Sequence, residues 1–219
     1  MTKEELYNLL DEVSLPDSII SRLDAPKWQF WKRKAHIKGN ETFPFLREYI
    51  EQKNKKSDTK IRENSYTVLV MLLLKNMEPA YCQFLIDRLN IETDKHVLHT
   101  MLSWISRLQL PVDIDITAIT ARSKSDEWLV RQSAILALSR SDTDTSREAV
   151  RYWVAQEDER KYKFELIYAN AALGYIGELC DIDLLERHTH SPIHDIKDSS
   201  IYAIDNIRKR LDCASSAAK

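Results

Sequence analysis

Glycine and proline are scarce in this sequence. The 219 residues contain only three glycines and six prolines, which leaves little material for the tight turns of hairpin-rich β proteins. The same scarcity excludes the glycine-rich loops that bind nucleotide phosphates. Charged residues make up 30% of the chain, as suits the solvated faces of many amphipathic helices. The composition therefore predicts an all-α fold without a nucleotide-binding loop.

Cysteines are few, and long apolar runs are missing. Cys82, Cys180 and Cys213 are dispersed, match no metal-ligand spacing and cannot all pair within one chain, so a reducing cytosol is the simplest location. The longest apolar run, residues 68–74, is about a third of a membrane span. The N-terminus has neither the basic opening nor the apolar core of a secretion signal. We expect a cytoplasmic protein with no membrane contact and no cofactor.

A helical phrase recurs five times at nearly constant spacing. Its clearest copy runs from Asp126 to Leu138. The position of Val130 in this copy is taken as a marker, and the equivalent residues of the five copies lie 36, 33, 35 and 31 residues apart: Ile61, Val97, Val130, Glu165 and Ile196. A period in the low thirties is typical of stacked helix pairs, each of which buries its apolar face on its neighbours. The repeats predict one continuous body rather than separate domains.

The phrase resembles the HEAT repeat family, whose inner helices open with Val-Arg and run through small residues to Ala-Leu-Gly. Residues 126–138 match this pattern, and residues 164–177 match its second half. The resemblance covers roughly residues 42–211 and implies a right-handed α-α superhelix of about five helix pairs with an N-terminal helical cap. It also implies that Arg131 pairs with Asp126 of the preceding turn, and Arg62 similarly with Asp58.

The pattern divides the chain into a cap and five helix pairs. We predict a single domain over residues 1–211, with a cap at 1–41, repeats at 42–211 and a frayed tail at 212–219. Three cap helices are expected near 3–13, 16–24 and 26–37. Outer helices are expected near 43–54, 79–90, 113–123, 146–157 and 181–189, and inner helices near 58–75, 94–108, 126–140, 161–177 and 194–211. Prolines at or just before helix starts, among them Pro44, support these limits, and the N-cap candidates are Asp58, Asp94 and Asp126.

The inner helices have two flanks with different predicted roles. At 100° per residue, Val130, Ala134, Ala137 and Leu138 share one flank and are predicted to be core. The opposite flank is expected to line the concave surface and to bind a protein or peptide, although any one of its residues could simply be solvated or half-buried. The candidate partner-binding residues are Glu63, His99, Ser103, Gln132, Leu136, Asp198 and Tyr202.

A basic and aromatic stretch near the N-terminus favours a second hypothesis, nucleic-acid binding. Basic residues interleaved with aromatics suit a phosphate backbone and stacked bases, although the same aromatics could bury the end of the helix stack. The candidate nucleic-acid contacts are Trp28, Trp31, Lys32, Arg33, Lys55 and Lys56. The net charge of −2 argues against a general nucleic-acid binder.

Alkylpurine DNA glycosylases are a catalytic family that also uses HEAT-like repeats. The segment from Trp128 to Arg131 has a passing similarity to their Trp and Arg segment, which the repeat pattern explains equally well. No counterpart of their Trp-Trp-Asp stretch is found, since the nearest tryptophan context surrounds Trp104. The sequence thus predicts no catalytic residue.

Three histidines lie close together in the sequence near the last repeat. Histidine and aspartate can bind a metal ion, and this segment contains His188, His190, His194 and Asp195. However, His188 and His190 would face different ways on a helix end, and Pro192 marks a loop. We therefore expect a solvated loop and no metal.

The favoured function is a non-enzymatic protein-protein interaction module, such as a cytosolic adaptor, inhibitor or immunity-type protein. The alternative is a nucleic-acid-binding protein or a relative of the alkylpurine glycosylases.

Overall fold

A computed structural model of the chain describes residues 2–14 and 39–217. In these two ranges the chain forms eleven α-helices and no β-strand, so the predicted all-α fold class is confirmed. The chain divides into two compact units, with the boundary between Trp104 and Ile105. The predicted helices near 16–24 and 26–37 lie outside the described residues. No helix within the described ranges is both long enough and apolar enough to span a bilayer.

In its described residues, the first unit is built from a capping helix and two helix pairs. Helix α1 packs against both helices of the first pair, α2 and α3. Its start is fixed by a capping box, in which Thr2 Oγ1 accepts from the Glu5 N–H at 3.2 Å and the Glu5 carboxylate accepts from the Thr2 N–H at 2.7 Å. The described helices of this unit are α1 Lys3–Val13, α2 Gly39–Gln52, α3 Thr59–Lys75, α4 Pro79–Ile91 and α5 Lys95–Ile105.

The second unit contains three helix pairs. Within it, α6 packs on α7, α8 on α9 and α10 on α11, and the inner helix α9 also packs against both α7 and α11. This succession is that of a helical repeat protein. The helices are α6 Thr117–Arg122, α7 Trp128–Leu138, α8 Asp144–Val154, α9 Lys163–Ile176, α10 Ile182–Glu186 and α11 His194–Ala217.

Several predicted helix limits need correction. Helix α2 begins at Gly39, so Pro44 lies inside the helix rather than at its start. Helix α6 begins at Thr117 instead of 113, and α10 ends at Glu186 instead of 189. Helix α11 extends to Ala217, beyond the predicted end at 211.

The predicted core slots of the inner helices are confirmed. Val130, Ala134, Ala137 and Leu138 are fully buried, because small side chains let neighbouring helices approach closely. A close approach lies at Gly174 of α9, where a Cβ atom would lie 3.1 Å from the Cα atom of Ala203 in α11. This is tighter than ordinary carbon contacts, so a larger residue at position 174 would push α9 and α11 apart by a few tenths of an ångström.

The predicted pairing of arginine with aspartate within each repeat is wrong. Arg62 binds Glu92 in a bidentate pair, with Nε to Oε2 at 2.7 Å and Nη2 to Oε1 at 3.0 Å. Arg131 binds Glu165, with Nη2 to Oε1 at 2.6 Å, and takes only the main-chain carbonyl of Asp126. Each arginine therefore reaches an acid about one period further along the chain, where it ties successive repeats together.

The acid partners of these arginines are the more deeply buried members. Glu92 and Glu165 are both buried, and each carboxylate is compensated by a guanidinium.

Of the three predicted N-cap residues, only Asp94 accepts from the N–H groups of the turn it precedes, those of His96 at 2.9 Å and Val97 at 3.2 Å. Asp58 instead accepts from the Lys55 N–H, and the N-cap of α7 is Glu127 rather than Asp126.

The buried Glu92 predicts an acid-sensitive first unit. Burial raises the pKa of this carboxyl, but hydrogen bonds from Arg62 and from the N–H groups of Asp94 and Thr93 outweigh that effect and hold the pKa below its ordinary value of 4.5. The unfolded chain therefore binds the proton more tightly, and the stabilisation is present above about pH 4.5 and lost as the pH falls through the folded-state pKa.

Urea unfolding at a series of pH values between neutral and strongly acidic would measure this dependence. The Glu92→Leu variant should show a shallower loss of unfolding free energy over the acid range than the wild type. Parallel curves for the two proteins would mean that Glu92 does not titrate with a lowered pKa.

Candidate protein-binding site

The predicted partner-binding residues of the first unit are half-buried on its inner helices. Glu63 of α3 forms an ion pair with Lys60, Nζ to Oε2 at 2.7 Å, and accepts from the Thr100 hydroxyl of α5 at 3.2 Å. His99 and Ser103 are half-buried on α5, one turn apart. The structure thus brings α3 and α5 together at Glu63, but the Glu63 carboxylate is already engaged within the unit.

In the second unit the predicted residues are exposed to different degrees. Gln132 is only 8% exposed, so it is buried instead of lining an accessible surface as expected. Helix α7 packs against α6, α8 and α9, which leaves only a narrow strip of its surface in contact with water. Leu136 is half-buried, whereas Asp198 and Tyr202 are exposed one turn apart on α11. The accessible part of this predicted face is therefore concentrated on α11.

A stacked pair of exposed aromatic rings lies at the starts of α7 and α9. Trp128 is the first residue of α7 and Phe164 the second of α9. Their ring centroids are 5.2 Å apart with an interplanar angle of 28°, and each residue is 48% exposed. Large rings that stay in water while stacking on each other present a rigid apolar surface, which is the type of residue that dominates binding energy at protein interfaces.

Charged residues extend this surface to the third inner helix of the unit. The Lys163 ammonium lies 5.9 Å from the centre of the Phe164 ring and pairs with Asp195 of α11, Nζ to Oδ2 at 2.7 Å. We define Trp128, Phe164, Lys163 and Asp195 as the aromatic edge. It joins the N-terminal ends of α7, α9 and α11, with an apolar centre and a polar flank.

The aromatic edge is supported from below by Arg131. Its guanidinium donates to the main-chain oxygens of Ser125 at 2.8 Å and Asp126 at 2.7 Å, in the turn before α7, while Nε donates to Glu165 at 2.8 Å. The same guanidinium lies 5.9 Å from the ring centre of the buried Trp153. These contacts fix the start of α7 against the start of α9, so the two exposed rings are held in place before any partner arrives.

Sequence reasoning missed the aromatic edge as a site. A signal was present, since Trp128 and Phe164 are separated by 36 residues, close to one repeat period. Two aromatics one period apart at the starts of inner helices predict neighbouring rings, provided that successive inner helices pack side by side. In the sequence alone, Trp128 stands out only for its passing similarity to the glycosylase segment.

The predicted nucleic-acid contacts fall mainly outside the described residues. Trp28, Trp31, Lys32 and Arg33 all lie there, while Lys55 and Lys56 are exposed in the first unit. The described basic residues around them are mostly neutralised by acids of the same unit. The pairs are Lys53 with Asp11, Lys60 with Glu63 and Arg62 with Glu92.

The three neighbouring histidines do not form one site. His188 is buried rather than solvated as expected; its Nε2 lies 2.8 Å from the Val154 carbonyl oxygen, and its Nδ1 lies 3.4 Å from the Glu159 carboxylate. His190 is exposed, and His194 lies 3.0 Å from Asp198. His188 thus ties the last loop to α8, and this contact accounts for its position.

A cluster of possible metal ligands lies before α10. Glu178, Cys180 and Asp181 bring their ligand atoms together. The Arg151 guanidinium already binds both carboxylates, Asp181 at 2.5 Å and Glu178 at 3.0 Å. The pKa of Arg151 is raised, chiefly by its hydrogen bond to Asp181, so the cluster is a structural ion-pair network between α8 and the turn before α10.

No protein-family model and no curated protein matches this chain. Among solved structures, it is similar to an engineered protein of the Northeast Structural Genomics Consortium, with 15% identity, a TM-score of 0.48 and coverage of 94% of this chain and 90% of the other. It is also similar to a designed armadillo repeat protein, with 12% identity, a TM-score of 0.49 and coverage of 92% and 99%. Neither likeness bears on what this chain binds.

Proposed function

We propose that this chain is a non-enzymatic protein-protein interaction module built from HEAT-like repeats. The observation that supports the proposal is the aromatic edge, where Trp128 and Phe164 remain exposed while stacked on each other. Exposed aromatics with a fixed geometry lose little side-chain entropy on binding, so they suit a protein partner. A module of this kind acts as a scaffold, for example as a cytosolic adaptor, an inhibitor or an immunity-type protein.

The partner is proposed to contact the aromatic edge first and then the exposed part of α11. Asp198 and Tyr202 lie on α11, which begins beside Lys163 of the aromatic edge. Leu136 of α7 offers a further half-buried apolar contact. In the first unit, Glu63, His99 and Ser103 remain predicted partner contacts, and a partner that uses Glu63 would compete with Lys60 and Thr100 for its carboxylate.

Nucleic-acid binding is less well supported in the described part of the chain. Two basic residues at the aromatic edge are already engaged in ion pairs. Lys163 pairs with Asp195, and Arg131 pairs with Glu165. A phosphate-binding surface needs cations that are free to replace counterions. This alternative rests on the basic and aromatic sequence of residues 26–38 and on the exposed Lys55 and Lys56.

The aromatic edge predicts the outcome of a capture experiment. Immobilised wild-type protein, incubated with lysate of the source organism, should retain a partner that the double variant Trp128→Ala/Phe164→Ala retains at least about tenfold less, because removing two central aromatics from an interface commonly costs several kcal/mol. Quantitative mass spectrometry of the retained proteins measures the difference.

The matched control is Tyr152→Ala, which removes a comparably exposed aromatic from the outer helix α8. This variant should retain the partner as the wild type does. Equal retention by all three proteins would rule out the aromatic edge as the binding surface. Nuclease-sensitive retention that falls steeply with salt and is lost in Lys55→Glu/Lys56→Glu would support nucleic-acid binding instead.

A further inference from the structure

The outward face of α11 carries an apolar residue at a position that is buried in the preceding repeats. Ile201 corresponds in repeat register to Ile135 of α7 and Asn170 of α9. Ile135 and Asn170 are fully buried, whereas Ile201 is 41% exposed. Asn170 donates to the Ile196 carbonyl and to the Ser199 hydroxyl of α11, so the next inner helix covers it. In the described part of the chain, no inner helix covers Ile201.

A cavity opens beside this exposed isoleucine. Its volume is about 360 Å³, and it lies between α11 and the end of α10. Ile201 and Ile204 supply its apolar lining, and charged groups surround them. Two of those groups, Arg208 and Glu186, approach each other at 3.8 Å, whereas the described residues offer Asp205 no ion-pair partner. The cavity can therefore accept a side chain with an apolar stem and a positive end.

The same helix carries such a side chain at a matching distance. Lys197, Ile201 and Asp205 are spaced four residues apart, so they form one ridge along α11. Lys197 and Asp205 are both exposed, and within the described ranges neither has an ion-pair partner. Along the ridge the side chains are therefore positive, apolar and negative in turn. A second copy of the ridge that runs in the opposite direction is complementary to it.

We propose that a second copy of this chain docks on α11 in an antiparallel arrangement, with a two-fold axis beside Ile201. Each Ile201 then packs against Ile201 of the second copy. Each Lys197 reaches Asp205 of the second copy, with its methylene stem lying along the isoleucines of the cavity. The two-fold axis satisfies both ridges at once, and ridges four residues apart fit between each other in the commonest mode of helix packing.

This interface continues the side-by-side packing of α7, α9 and α11 by one more inner helix. It involves little more than one helix and one cavity from each copy, so the dimer is weak and forms reversibly with concentration. The inference concerns association of the chain with itself and does not depend on the proposed function.

Sedimentation velocity on the purified protein, from the low micromolar to the millimolar range, tests the proposal. The wild type should shift from monomer to dimer, and Ile201→Glu should stay monomeric because a carboxylate would be buried at the axis. The control Ile91→Glu changes another exposed isoleucine, on α4, and should dimerise as the wild type does. Circular dichroism and thermal melting establish that each variant is folded.

Charge reversals distinguish this interface from non-specific association. At low salt, Lys197→Glu and Asp205→Lys should each raise the dimer dissociation constant about tenfold or more, because two facing pairs become repulsive. The double variant Lys197→Glu/Asp205→Lys should restore dimerisation, and an equimolar mixture of the two single variants should form heterodimers. A wild type that is monomeric throughout, or a dimer that neither Ile201→Glu nor the single reversals weaken, would overturn the proposal.

Discussion

Replacing Glu92 by leucine is expected to lower the free energy of unfolding by about 3–5 kcal/mol. Arg62 is a buried residue whose guanidinium forms its bidentate pair with this carboxylate. Without Glu92 the positive charge stays buried and unpaired, and the main-chain carbonyl of Lys55, which accepts from Arg62 at 2.7 Å, compensates only part of it. Urea unfolding at neutral pH, followed by circular dichroism, measures the loss.

Two comparisons separate the buried pair from a general effect of removing a carboxylate. Glu51→Leu removes the acid of an exposed pair with Arg47 and should cost less than about 1 kcal/mol. The double variant Arg62→Leu/Glu92→Leu should recover part of the stability lost in Glu92→Leu, because no charge is then left buried. A double variant less stable than Glu92→Leu alone would show that the uncompensated charge is not the main cause.

The sequence alone was sufficient to locate the inner helices and to identify their buried residues. The spacing of the marker positions locates the inner helices, and the alternation of small and large residues at Ala134, Ala137 and Leu138 identifies the buried flank. Both follow from the geometry of a single helix, which depends only on the local chain. Helix ends were less accurate, as α2 and α11 show, because their limits depend on contacts beyond the local sequence.

The ion pairs could not be predicted because their partners lie in neighbouring repeats. Within one repeat, Asp126 and Arg131 look like a pair, yet Arg131 reaches Glu165, which occupies a marker slot that is valine in the clearest repeat. A carboxylate in an apolar slot appears unfavourable until the arginine of the preceding inner helix is placed beside it. The lateral packing of α7 and α9 supplies that information.

The candidate site was predicted in part for the same reason. A helical wheel places Gln132 opposite the core slots, but it contains no neighbours, and α6, α8 and α9 together leave that position little contact with water. Asp198 and Tyr202 are exposed as expected. The stacking of Trp128 on Phe164 again depends on two inner helices lying side by side, which only the assembled repeats provide.

Ala134→Glu is expected to destabilise the second unit by more than about 4 kcal/mol or to prevent its folding. Ala134 is fully buried in α7, a helix that packs against α6, α8 and α9. A glutamate there brings both excess volume and an unpaired buried charge, and each is unfavourable in a packed interior. Thermal unfolding followed by circular dichroism at 222 nm, the usual wavelength for helix signal, should show a large fall in the melting temperature, roughly 2–4 °C for each kcal/mol lost.

The same substitution at two other positions tests the cause of this effect. Ala121→Glu places the carboxylate on the exposed face of α6 and should cost less than about 1 kcal/mol, mostly through its position near a helix C-terminus. Gln132→Glu adds a charge without adding volume at a buried position, so its loss should lie between the other two. If excess volume were the only cause of the Ala134→Glu effect, Gln132→Glu would be as stable as the wild type. If burying a charge contributes, Gln132→Glu will be less stable than Ala121→Glu. Equal stability of all three variants would mean that the helical phase assigned to α7 is incorrect.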